Sequence, residues 1–512
     1  MEWLVVVLNF IGQQILNVPA YLIGIITAIG LMALRRNSGQ VIGGALKAAI
    51  GFLILGAGAT VVTGSLDPLG RLILEVTGAQ GVIPTNEVIT AMAQEQFGAQ
   101  SAYVLTLGFL VMLVLARFTP LKYVFLTGHH MVFMATMLTV VLSVGFGEKL
   151  GWLVVLIGAV LLGVIMVVMP AFLHPWTKKI TGNDSIAIGH FGSLGYLAAG
   201  AAGQAAGRRS KSTEDIKFPQ SLKFLRDSMV ATSLSMVLIY MVFTIWGLIA
   251  LPTDEALAIF DVPDAGAFIM AGFAQALQFG VGVAIILYGV RTVLGELIPA
   301  FQGIAEKVVP GARPALDIPI VFPFGANAVL IGFLSSFAGG LIALGLLAVW
   351  LNPAFGLALI LPGMVPHFFT GGGAGVYGNA TGGRRGAVLG GFVNGVIITI
   401  LPAILLLVLG DFGLSNSTFG DADFGWFGSL IGVSLRGGTA LGAILTVIIA
   451  IVLVTAAIVF QVKVVDRGWV PGAKRDAWLA EEKAAENERI ARAKEKAAES
   501  ERIAPGTETA AH

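Results

Sequence analysis

The chain has 512 residues, of which 56% are hydrophobic and 12% charged, and its mean hydropathy is +0.88. Soluble domains carry about 25% charged residues, so a water-soluble globule is excluded and a polytopic chain that meets hydrocarbon with an apolar surface is required. A net charge of +1 gives nucleic acid nothing to bind, and the absence of cysteine excludes a disulfide framework, a thiolate metal site and a phosphocysteine on this chain.

In chain order, the run EWLVVVLNFIGQQILNVP lacks a basic flank, which predicts a short amphipathic or interfacial first helix, not a cleavable signal. Apolar stretches long enough to cross about 30 Å of hydrocarbon come next, at 20–34, 41–63, 103–118, 129–147, 152–173, 229–251, 266–290, 326–350, 387–409 and 438–462. A shorter piece at 354–369 is a further candidate, so the expectation is an all-α membrane protein of about 11 crossings. Arg35 and Arg36 close the first strong span, and a later connection carries Arg208, Arg209, Lys211, Lys217, Lys223 and Arg226. With Lys463 and Arg467 after the last span, the positive-inside rule places these segments and the C-terminus in the cytoplasm and the N-terminus outside. Residues 1–465 read as the membrane domain; the Ala, Glu, Lys and Arg mixture within 466–512 reads as a charged cytosolic helix or disordered tail, either simply solubilising or docking a soluble partner.

Residues 51–75 can be laid on 282–306 without a gap, with nine identities that include Gly51 with Gly282, Gly58 with Gly289, Gly64 with Gly295 and Pro68 with Pro299. The alignment predicts two inverted repeats, around 20–205 and 229–410, each with a helix broken at a G-x-L-x-P motif, the arrangement that marks a transport site. Continued in register it pairs Asn86 with Asp317, each after a proline-containing break where unwound backbone and helix N-termini can meet a polar or anionic ligand.

Histidines lie in or beside apolar segments at His129, His130, His190 and His367. Each is either a hydrogen-bonded core side chain or a ligand-binding one; His129 and His190, each preceded by a glycine at the start of an apolar run, are the preferred ligands. No His-x3-His pair or histidine–carboxylate cluster has metal spacing, so no metal and no cofactor is expected. Asp317 is the intramembrane acid with the strongest functional claim, although it can equally cap the next helix. Glu75, Glu296 and Glu306 read as polar faces of interfacial helices. The run TGGGAGVYGNATGGRR at 370–385 lacks phosphate-loop order and reads as a tight hairpin or a close backbone approach.

The motifs LTGHHM at 126–131, IGH at 188–190, GVR with E-L-x-x-A-F-x-G-I after it at 289–304, and PGA-x-x-A-L-D…F-x-x-NAV at 310–329 resemble the ascorbate-specific IIC permease family of the bacterial phosphoenolpyruvate-dependent sugar phosphotransferase system. The resemblance covers residues 1 to about 465. It implies eleven transmembrane segments, inverted repeats divided between scaffold and core subdomains, a homodimer in the inner membrane, and uptake of L-ascorbate. It also implies a division of labour in which a soluble IIB subunit phosphorylates the sugar acid from a phosphocysteine charged by a IIA subunit, so that this chain carries no catalytic residue. The implied ligand set falls on Asn86 and Glu87, on His129, His130, Met131, Val132 and Phe133, on His190 and Phe191, and on Asp317. Phe133 and Phe191 stand where the family has glutamines, and Asn86 with Glu87 where it has a Thr-Tyr pair, which opens selectivity for another sugar acid or a pentitol. A proton- or ion-coupled transporter using Asp317 and no phosphoryl relay is the alternative from another class.

Overall fold

A computed structural model describes residues 18–147, 151–216 and 228–503. The expected first helix before residue 18 and the basic residues Lys217, Lys223 and Arg226 lie outside the described residues. Among those described, 8 helices are long and apolar enough to cross a membrane, and two shorter apolar helices, Ala20–Ala33 and Met236–Ala250, accompany them. Their outer faces expose large apolar side chains such as Phe118 at 81%, Ile249 at 79% and Val349 at 83%. Surfaces of that kind are stable only against lipid or another apolar surface. The chain is an all-α polytopic membrane protein.

After α1 (Pro19–Ala33), α2 (Ser38–Thr77) starts at a capping box, in which Gln40 N donates to Asn37 Oδ1 at 2.9 Å, and ends at Gly78 with φ 69°. Its counterpart in the duplication is α9 (Ala265–Val308). Both helices run through Pro68 and Pro299, so the expected G-x-L-x-P break is not an interruption. A proline removes one hydrogen bond of a long ladder, and here the helix continues past it for two more turns. The two helices cross antiparallel at the matched glycines: a Cβ on Gly51 would lie 2.9 Å from the Gly289 carbonyl oxygen, and one on Gly58 would lie 3.0 Å from that of Gly282. Gly51 thus meets the counterpart of Gly58, and Gly58 meets the counterpart of Gly51, the contact pattern of a twofold axis.

The interruption comes after these helices. α2 leads into β1 (Gly81–Pro84) and α3 (Asn86–Phe118), α9 into β4 (Arg313–Leu316) and a short 3-10 helix, Ile318–Phe324. The remaining strands are β2 (Tyr123–Phe125), β3 (Ala187–Ile188), β5 (Leu359–Ile360) and β6 (Ser417–Thr418). They form two parallel three-stranded sheets in the orders β5-β1-β6 and β2-β4-β3. Each half of the chain therefore lends its central strand to two strands of the other half.

β2 leads into α4 (Gly128–Phe146) and then α5 (Gly151–Thr181); β3 leads into α6 (Ser193–Ala206). In the second half α7 (Ser228–Ala250) and α8 (Thr253–Ala258) precede α9, and α10 (Ala326–Leu346) comes after β4. The apolar piece at 354–369 is not a span. Pro353, Gly356 (φ 67°), Pro362, Gly363 and Pro366 divide it into a helix end, β5 and the first turns of the helix that follows. α11 (Gly372–Leu405) breaks at Gly383 (φ 57°, ψ −147°), and a Cβ on Gly378 would fall 2.1 Å from the Gly386 oxygen, so the glycine-rich run is a closely packed helical hairpin. β6 leads into α12 (Ala422–Leu435), then α13 (Thr439–Phe460) and α14 (Ala473–Ile503). The charged tail is helical and anchored at its start: the buried Arg475 donates from Nε to the Ser210 oxygen at 2.9 Å, and Lys179 pairs with Asp476 at 2.5 Å.

Candidate functional site

The strands are parallel within each sheet, and residues just past their carboxyl ends line one cavity of about 330 Å³. Asn86 and Glu87 come after β1, His129 and His130 after β2, His190 after β3, Asp317 after β4, Val365 and Pro366 after β5, and Asp421 after β6. α9 closes one wall with Leu287, Val290, Arg291 and Leu294, and Phe133 on α4 adds an aromatic ring. A small cavity with an apolar wall and a few convergent polar groups is the usual form of a small-molecule site.

Local backbone needs explain these positions. Strand β4 gives its last two carbonyls to its neighbours, with Leu126 N donating to Ala315 O at 2.9 Å and Gly189 N to Leu316 O at 2.8 Å. Position 189 must be glycine, because a Cβ there would sit 2.6 Å from the Ala315 oxygen. The chain then turns at His190, whose Nδ1 accepts the Gly192 N–H at 3.0 Å and lies 3.0 Å from the Tyr196 hydroxyl. A ring nitrogen that accepts a backbone N–H carries no proton, so neutral His190 presents Nε2–H as a donor. His130 is set in the same way, its Nδ1 accepting the Phe191 N–H at 3.4 Å. The His130 and His190 rings are 3.8 Å apart between centroids.

The aspartates come from the other half of the chain. Asp317 lies 3.5 Å from His129 Nε2 and 3.9 Å from His190 Nε2, while its Oδ1 also accepts the Ile318 N–H at 2.8 Å. It therefore caps the 3-10 helix and faces the histidines at once. Asp421 lies 3.9 Å from His130 Nδ1 and accepts Asn86 Nδ2 at 2.8 Å; Asn86 Oδ1 in turn accepts Gly420 N–H at 2.8 Å. Two residues on, buried Asp423 accepts Ser193 N, Leu194 N and Trp426 Nε1, each at 2.9 Å. It caps α6 from across the interface, where a carboxylate satisfies orphan N–H groups and complements the helix dipole. Asp423 N also donates to Phe191 O at 2.7 Å, so α12 holds the turn that carries His190.

Of the residues singled out in the sequence, Asn86, Glu87, His129, His130, Phe133, His190 and Asp317 line the cavity. Met131, Val132 and Phe191 are absent from its wall: Met131 is in the apolar core with Val132 packed against it, and Phe191 is fully buried and stacked on Phe125 with centroids 4.8 Å apart. His367 is also away from the cavity wall, bonded through Nδ1 to Ser336 Oγ at 2.8 Å. Asp421 and Arg291 are the polar wall residues that sequence reasoning missed.

Tertiary folding creates the histidine–carboxylate clusters that linear spacing did not show. His129, His130 and Asp317, and His130, His190 and Asp421, each place three potential ligand atoms within 4.8 Å of one another. Such sets can hold a divalent cation, and equally a ligand bearing several hydroxyls, since they mix donors with carboxylate acceptors.

Comparison with known proteins agrees with this architecture. Residues 14–423 match the family described as PTS system sugar-specific permease component. Over 423 residues the chain is 30% identical to the "Ascorbate-specific PTS system EIIC component" of Mycoplasma pneumoniae, covering 74% of this chain and 63% of that protein. The chain thus spans a little less than two thirds of that relative's length. With the match covering most of the membrane region and every element that contributes to the cavity, the chain belongs to the sugar-specific permease family of the phosphotransferase system.

Proposed function

We infer that the protein takes up L-ascorbate or a closely related sugar acid and passes it, during entry, to a soluble IIB subunit that phosphorylates it. The single observation carrying this reading is the cavity in which His129, His130 and His190 confront Asp317 and Asn86. An ascorbate-like monoanion needs hydrogen-bond donors for its enolate oxygens and acceptors for its hydroxyls, and imidazole N–H groups with carboxylates offer both. The relative's printed specificity for ascorbate supports the same substrate.

Residues 1–465 form the transport domain, with the N-terminus outside, the C-terminal helix in the cytoplasm and a IIA subunit charging IIB. The antiparallel crossing of α2 and α9 at matched glycines supports two repeats of opposite topology within it. The permease works as a homodimer. Labelled ascorbate should bind the purified protein saturably, His129→Ala should abolish that binding, and uptake by cells should require the soluble subunits. Uptake into proteoliposomes driven by a pH gradient alone would sink the phosphotransferase reading in favour of proton coupling.

A further inference from the structure

The duplication extends beyond the helices in which it is visible. The separation that relates Gly51 to Gly282 and Asn86 to Asp317 also relates Gly189 to Gly420 and His190 to Asp421. Strand pairing obeys the same relation. Ala187 pairs with Ala315 on β4, and their counterparts Thr418 and Pro84 pair on β1. His190 and Asp421 therefore occupy equivalent places, each just beyond an outer strand that flanks the other half's central strand. Their contacts are equivalent too: His190 faces Asp317 at 3.9 Å, and Asp421 is bonded to Asn86 at 2.8 Å.

The two pairs differ in what they leave free. Asn86 occupies Asp421 Oδ2, and Asp421 Oδ1 has no hydrogen bond among the described residues although the side chain is only 4% exposed. The residue lines the cavity, so this oxygen is an acceptor left open to whatever the cavity holds. Deepening the substrate reading above, on which it rests, we propose that Asp421 is a specificity-determining residue that accepts a hydrogen bond from a side-chain hydroxyl of the sugar acid. The imidazole N–H groups serve the ligand's enolate oxygens, and its neutral polyol arm lies toward the open acceptor of Asp421. Asn86 is the positioning residue that holds the carboxylate there.

The test compares two ligands on two proteins. L-ascorbate and an analogue whose side-chain hydroxyls are both replaced by hydrogen are titrated against purified wild-type protein and Asp421→Asn, which is isosteric and keeps an acceptor for Asn86. Wild-type protein should prefer ascorbate by roughly 10- to 100-fold, the range of a hydrogen bond to a charged group. Asp421→Asn should lose most of that preference while still binding the analogue, which also shows that its site is folded. A variant that keeps the full preference, or loses both ligands equally, overturns the proposal, the second outcome reducing Asp421 to a structural partner of Asn86. Wild-type protein that binds no ascorbate overturns the substrate reading as well.

Discussion

Replacing Asp423 tests whether the His190 turn is held by the neighbouring helix. The carboxylate accepts three hydrogen bonds, two of them from the first N–H groups of α6, in a fully buried position. Asp423→Ala leaves those two backbone donors unpaired, at about 1–3 kcal/mol each, and removes the desolvation cost of the carboxylate, for a net loss of about 2–4 kcal/mol. Asp423→Asn keeps one acceptor oxygen but turns an NH2 group toward a backbone donor, so about 1–2 kcal/mol is lost. Thermal unfolding of detergent-solubilised protein should rank wild type above Asn and Asn above Ala. Ligand affinity should fall in the same order, because the carboxylate holds Ser193, whose Oγ donates to the His190 carbonyl at 2.6 Å. Equal stability of the alanine variant and wild type, or an asparagine variant no better than alanine, would refute the assigned role.

The two phenylalanines that depart from the family pattern should behave differently. Phe191→Gln buries an amide among Phe125, His130 and Phe424 and should cost stability by roughly 2 kcal/mol or more, whereas Phe133→Gln, on the cavity wall, should chiefly change the order of affinities across a panel of sugar acids. Gly289→Leu should destabilise the α2–α9 crossing by at least 1–3 kcal/mol, since even a Cβ there would stand 2.7 Å from the Gly51 oxygen and the Leu55 nitrogen; melting temperature against that of Gly295→Leu, where a Cβ meets open space, is the check. Glu296→Gln removes an exposed pair with Lys47 and should shift stability by less than about 1 kcal/mol. Arg475→Ala should speed amide exchange in 208–212 without changing ligand affinity, because neither Arg475 nor its partner Ser210 lines the cavity.

The sequence announced the membrane class and the pairing of Asn86 with Asp317, because matched glycines and prolines in two apolar helices are hard to obtain by composition. It placed the helical interruption too early, at Pro68 and Pro299, since a proline's effect depends on the tertiary support of the turn around it. It also missed the first half of α3, where Gln94, Glu95 and Gln96 break the apolar run; Gln94 is buried there and donates from Nε2 to Thr136 Oγ1 at 3.2 Å. Asp421 escaped notice because similarity between the halves thins after residue 75 until little more than Gly189 and Gly420 marks the register. Phe191 entered with the family's ligand set beside His190, and only the fold shows that it turns into the core against Phe125 while His190 faces the cavity.

The exchange of central strands sets the order in which the protein can be made. Residues 81–84 leave the ribosome long before 359–360 and 417–418 exist to pair with them, so the amide and carbonyl groups of β1 wait for partners while the second half is still being synthesised. Bare peptide groups are poorly tolerated in hydrocarbon, and contacts so distant in sequence close slowly. The nascent first half must therefore be sheltered by the insertion machinery or stay hydrated in the unfinished cavity. Two fragments divided between residues 216 and 228 would each lack the partners of its central strand, and would mature only when expressed together.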